Sequence, residues 1–163
     1  MNALKRGRVA VAVSLLVPAV ALAQAAPKKP MAAKPAAHIV PASGVTYQPL
    51  EVPGFPTGLR MAAIHGDPNA ASGSYVIRLA FPDGYNFPAH WHPKAENLTV
   101  LEGELLLGMG DKAEGGTTTG YKVGSFLRIP GKMAHFGGVS GATVIQLHGE
   151  APFKIVLSAP AAK

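Results

Sequence analysis

The sequence has no cysteine among its 163 residues. That absence excludes a disulfide framework, a thiolate zinc or iron–sulfur site and any thiol nucleophile, and it leaves histidine and carboxylate as the strong metal ligands. Charged residues are scarce at 15% and aromatic ones at 7%. No segment carries a convincing helical period of apolar residues. The longest apolar run, Val9 to Val20, is about a dozen residues broken by Ser14 and Pro18, short of the roughly 20 that a spanning helix needs. Against these shortages stand 19 Gly, 15 Pro and an excess of 15 Lys and Arg over 9 Asp and Glu, a formal charge of +6. Such a charge points to a nucleic-acid or membrane partner only if the cations belong to the folded part.

They do not. Residues 1–23 carry a basic n-region (Lys5, Arg6, Arg8), the apolar run, and Ala21-Leu22-Ala23, a small-residue cleavage signature before Gln24. This pattern is read as a secretory signal peptide, with an uncleaved anchor as the alternative. Residues 24–37 hold 6 Ala, 3 Pro and 3 Lys, too little large apolar surface to offset the entropy of ordering them, and are read as a flexible linker. Each of these segments removes three cations, leaving residues 38–163 with 9 basic and 9 acidic side chains. The folded domain is therefore neutral. No nucleic-acid partner and no stable membrane anchor after cleavage are expected, and the location is periplasmic or secreted.

Within 38–163, short runs rich in β-branched and large apolar residues alternate with turn formers. Tyr75 to Phe81, Leu98 to Leu101, Glu104 to Leu107, Gly124 to Ile129, Ala142 to Leu147 and Phe153 to Leu157 read as strands. Thr46 to Val52 and Leu59 to Ile64 are candidates for two more. Pro82-Asp83-Gly84, Gly103, Gly110-Asp111, Pro130-Gly131, Gly137-Gly138 and Gly141 read as turns between them. Strands at this spacing predict a single all-β domain, a sandwich or barrel.

One stretch has chemical content: Gly84-Tyr-Asn-Phe-Pro-Ala-His90-Trp-His92-Pro-Lys-Ala-Glu96, running on to Gly103. On a strand, His90 and His92 project from the same face. The short Pro93-Lys94-Ala95 connection can return Glu96 beside them as an anionic ligand, and His135 is the candidate third imidazole.

These residues resemble the first motif of the cupin superfamily, G-x5-H-x-H-x3-4-E-x6-G, matched by Gly84, His90, His92, Glu96 and Gly103 without a departure. The second motif, G-x5-P-x-G-x2-H-x3-N, is matched by Gly124, Pro130 and His135; Lys132 stands in the slot of its second glycine and Val139 in that of its asparagine. Five fixed positions coincide by chance on the order of 10⁻⁷ times per starting point at average residue usage. The resemblance implies a double-stranded β-helix, a small jelly-roll barrel, with a divalent metal held by His90, His92, Glu96 and His135. Iron, manganese or zinc is favoured, and nickel, cobalt and copper can be accommodated. Lys132 in a glycine slot implies an altered turn at the barrel mouth. The layout is most similar to the single-domain cupins related to the anti-sigma-factor ChrR cupin domain, without an attached DNA-binding or zinc domain, and the family implies a homodimer.

Two functional readings follow. In the first, a metal-dependent small-molecule enzyme of dioxygenase or isomerase type uses the ion. In the alternative, the barrel binds a metal or small ligand without turnover. Gln146 and His148 share one face of a strand; either they or Ile145 and Leu147 face the interior. Trp91 is expected in the wall, and His38 and His65 at the surface. Tyr85, Asn86, Phe87, Met133 and Phe136 flank the motifs, and Glu102 and Glu104 are expected outside the barrel.

Overall fold

The computed structural model describes residues 36–158. The segment read as an export signal (1–23) and nearly all of the linker (24–37) lie outside the described residues. Among the described residues there is no α-helix; one 3-10 turn at Ala42–Gly44 precedes nine strands. These are β1 (Gln48–Pro49), β2 (Arg60–His65), β3 (Ser74–Phe81), β4 (Asn86–Trp91), β5 (Glu96–Met109), β6 (Thr119–Lys122), β7 (Phe126–Ile129), β8 (His135–Glu150) and β9 (Val156–Leu157).

Pleat alternation sets the interior. Along β3, Tyr75, Ile77, Leu79 and Phe81 are buried while Val76 and Arg78 are half-exposed, the period of two that a half-buried strand requires. β8 is the central strand and every pairing is antiparallel. Thr143 to Glu150 pair with β3, and His135, Gly137 and Gly138 pair with β4. Along nearly its whole length β8 also pairs with β5, whose far edge carries β7 and then β6. The sheet curls on itself, and its inner face encloses a single core that includes Ile77, Leu98, Val100, Leu105, Ile145 and Leu147.

Three of the expected turns, at Gly103, Gly137-Gly138 and Gly141, lie inside long strands. Gly103 does not end a strand; it sits in a bulged stretch of β5, where the register against β8 shifts between Val100 and Glu104. Its φ is +72° and an added Cβ would lie 2.3 Å from Thr143 Oγ1, so the glycine is required both by conformation and by space. The shift also changes parity. Glu96, Leu98 and Val100 face inward before it, Leu105 and Leu107 after it, and Glu102 and Glu104 are left on the outside, as expected. Gly137 and Gly138 likewise lie within β8, where neighbouring backbones approach too closely for any side chain.

The two weakest strands are shorter than expected. Thr46 to Val52 contributes only Gln48 and Pro49 to the ladder, and Phe153 to Leu157 only Val156 and Leu157. In the second case the Lys154 carbonyl, before the paired residues, meets a histidine described next.

Candidate metal centre

His90 lies near the end of β4, directly opposite His135, the first residue of β8. His92 follows the end of β4, and Glu96 opens β5. All four side chains are buried, at 6% exposure or less. One ligand nitrogen from each of His90, His92 and His135 lies within 4.8 Å of the others, so the three imidazoles could hold a metal ion.

The outer nitrogen of each ring is already committed. His90 Nδ1 lies 2.8 Å from the Pro88 carbonyl, His92 Nδ1 2.8 Å from the Lys154 carbonyl, and His135 Nδ1 3.1 Å from the Met133 carbonyl. A carbonyl oxygen only accepts, so each Nδ1 carries the proton and donates it, which leaves each neutral ring with its Nε2 lone pair free. Carbonyl anchoring of the far nitrogen fixes both tautomer and ring orientation, as metal-binding histidines require. His92 Nε2 stands 3.0 Å from Glu96 Oε2, and His135 Nε2 stands 3.5 Å from Glu96 Oε1. A lone pair facing a carboxylate oxygen at these distances is unfavourable unless a cation, a proton or a metal, lies with them.

Aromatic rings hold the cluster in place. Phe153 stacks on His92 with centroids 5.0 Å apart and planes 18° from parallel. Phe55 and Phe87 pack edge-on against His90 at 5.1 and 5.6 Å. The turn after β7 completes the frame: the Lys132 N–H donates to the His92 carbonyl at 2.7 Å. Lys132 itself adopts φ +66°, so a lysine takes the left-handed conformation for which the motif's glycine is suited. The turn is retained with a strained residue in it.

Burial and the neighbouring His135 lower the His90 pKa to about 4. Burial also lowers His135, against the pull of Glu96. Burial alone would raise Glu96, but its close contact with His92 and the nearness of the other imidazoles bring it below the usual carboxylate value. Both histidines are therefore neutral and Glu96 is ionised at neutral pH. A consequence for stability follows. An unfolded histidine binds its proton near pH 6.5 and folded His90 only near 4, so the unfolded chain takes up the extra proton in between. In metal-free protein this contribution is complete above pH 6.5 and is lost as the pH falls towards 4, to the extent of roughly 3 kcal/mol. Urea unfolding between pH 7 and 4.5 should show this slope, reduced in His90→Gln; equal slopes in the two proteins would refute it.

The cluster opens onto a cavity of about 50 Å³. Apart from His90, His92, Glu96 and His135, every residue lining it is leucine, isoleucine or phenylalanine. Ile145 and Leu147 are among them, so Gln146 and His148 occupy the outer face, where Gln146 Oε1 accepts from Arg78 Nε at 3.1 Å. Phe87 also lines the cavity, whereas Tyr85 is buried with its hydroxyl on the Pro56 carbonyl, Asn86 and Met133 are exposed, and Phe136 is buried elsewhere. Trp91 is half-buried and outside the cavity. His38 and His65 are exposed, their rings 5.2 Å apart. Tyr75 is pushed up to about 12 by burial and by Glu96; it keeps its proton at neutral pH and does not line the cavity.

Comparison with solved structures accounts for this architecture. The chain superposes on a cupin-2 domain from Rhodospirillum rubrum with a TM-score of 0.58 at 14% identity, covering 78% of this chain and 84% of that one. The chain has the cupin fold. The same fold relates it to the polyketide cyclase RemF from Streptomyces resistomycificus, with a TM-score of 0.58, 17% identity, and 78% and 87% of the two chains covered. A provisionally assigned acetylacetone dioxygenase from Methylibium petroleiphilum gives 0.58 at 21% identity, covering 81% and 90%. No protein-family model matches the sequence, and no curated protein matches it either. Of the residues that form and frame the cluster, the sequence pointed to the histidines and Glu96 but not to Phe55, Phe153 or the Lys154 carbonyl. Phe153 fell in an expected strand, and nothing in the sequence marked it as a wall of the site.

Proposed function

We propose that this cupin is an exported enzyme whose domain, residues 38–163, holds one divalent metal through His90, His92, Glu96 and His135 and carries out dioxygenase-type chemistry on a small molecule. The signal peptide and linker reading places it in the periplasm or outside the cell, and the fold supports a homodimer, which would cover exposed sheet edges.

Three observations support the ligand set. Each imidazole has its Nδ1 anchored on a carbonyl, which leaves Nε2 as the ring atom available to an ion. The Glu96 oxygens approach two of those nitrogens at 3.0 and 3.5 Å, close to the roughly 3.0–3.4 Å that separates neighbouring ligands about 2.1 Å from a shared ion. The donor set of imidazole and carboxylate suits iron, manganese or zinc. When bound, such an ion supplies open coordination positions and charge stabilisation, and iron or manganese adds redox capacity.

The observation that carries the reaction type is the composition of the cavity. Isomerisation moves a proton between carbon atoms and needs an acid or base free to exchange it. Beyond the four clustered groups the lining offers none, whereas oxygenation can proceed with the ion and an apolar wall. The chain's own residues orient the ligands through backbone carbonyls and exclude bulk water. The fold is also that of proteins named as a cyclase and a dioxygenase, so it carries enzymes of small molecules.

Oxygen uptake by iron-loaded and manganese-loaded protein, followed over small phenols, thiols and diketones, tests the proposal. Uptake that depends on both substrate and bound metal is expected. Full metal loading with no uptake on any of them would overturn the enzymatic reading in favour of a non-catalytic binding cupin.

A further inference from the structure

We infer that the chamber selects a small, largely apolar molecule that meets the protein through a single metal-binding head group, and that it rejects compounds bearing a second polar group. This deepens the metal-site reading above and rests on it. The argument is one of hydrogen-bonding capacity. The four polar side chains of the lining contact one another. The three Nδ1 atoms are spent on carbonyls, and the Nε2 and carboxylate atoms face the place of the ion. None remains to receive another hydroxyl or carboxylate.

Two buried polar side chains outside the lining are also committed elsewhere. Tyr85 donates to the Pro56 carbonyl at 2.7 Å, and the Thr143 hydroxyl contacts the Gly141 carbonyl at 3.0 Å; neither lines the cavity. The wall away from the cluster is made by residues such as Leu79, Leu105, Leu107 and Ile145. A second polar group carried into it would lose its water without gaining a partner, whereas a methylene would gain by the transfer.

The test uses cobalt(II)-loaded protein, with the visible spectrum of the metal as the readout and simple carboxylates as probes. Affinity should rise about threefold to fourfold per methylene from acetate through propionate to butyrate. 4-Hydroxybutyrate, whose hydroxyl is too remote to chelate well, should bind at least about tenfold more weakly than butyrate, and succinate more weakly still. Equal or tighter binding of 4-hydroxybutyrate or succinate would overturn the inference. A flat acetate-to-butyrate series, or no spectral response to any probe in protein that holds cobalt, would overturn it too. Failure of the protein to take up cobalt would instead strike the metal-site reading itself, so the two failures are distinguishable.

Discussion

Replacing His90 and His92 together by alanine should lower bound divalent metal from about one equivalent to below about a tenth, because under the proposed ligand set only two groups would be left, too few to hold an ion at ordinary concentrations. The surviving His135 and Glu96 lie on strands β8 and β5, with Nε2 and Oε1 3.5 Å apart. They form at most a two-point site open to water. Elemental analysis after dialysis against a chelator reads the result, and equal occupancy in wild type and variant would sink the assignment. Truncating two buried rings also leaves cavities, so a near-isosteric change provides the second arm. Glu96→Gln keeps the shape and all three imidazoles but removes the charge, and should weaken metal binding by about tenfold to a hundredfold. Metal affinity unchanged in Glu96→Gln would remove the carboxylate from the ligand set while leaving the imidazoles in it.

Gly137→Ala should destabilise the domain by roughly 4 kcal/mol or more, a cost reserved for substitutions the backbone cannot absorb. A Cβ at this position would lie 1.9 Å from the Leu106 carbonyl oxygen and 3.1 Å from the Phe87 ring. The first of these is main chain, held in the β5–β8 ladder where Leu107 pairs with Gly137, and it cannot swing aside as a side-chain tip would. Gly137 is two residues from His135 and opposite Phe87 on β4, so any displacement is transmitted to the histidine cluster. Chemical denaturation measures the first effect, and the metal content of whatever remains folded measures the second. Gly84→Ala is the contrast: its φ is +70° but nothing lies within 4 Å of the added Cβ, so it should cost only the conformational strain, about 1–2 kcal/mol. Similar losses in the two variants would show that crowding at β8 is not what selects glycine there.

The parts of this molecule that could be read from sequence are those governed by local geometry. His90 and His92 share a face because a strand alternates with period two, and a three-residue connection suffices to return Glu96. The pleat also resolves Gln146 and His148, once Ile145 and Leu147 are seen in the core. What could not be read depends on approach between distant segments. Gly103, Gly137 and Gly138 look like turn residues, because a glycine chosen for a bulge or a crowded ladder is chemically the same as one chosen for a reversal. Lys132 looked like a change of turn, yet the chain accepts the left-handed conformation there. The anchors of the imidazoles include a peptide carbonyl 62 residues away from His92. Every residue has a carbonyl, so such a partner leaves no mark in the residue types.

That last anchor bears on when during biosynthesis the centre can come into being. The imidazoles are spread from His90 to His135, and His92 is oriented by the Lys154 carbonyl and the Phe153 ring, near the end of the described chain. A nascent polypeptide still emerging from the ribosome can present the first pair of histidines, but not in their final alignment. An ion bound at this cluster would therefore be drawn from the pool that surrounds the folded domain, and the choice of metal would depend on the place of folding as much as on the imidazoles.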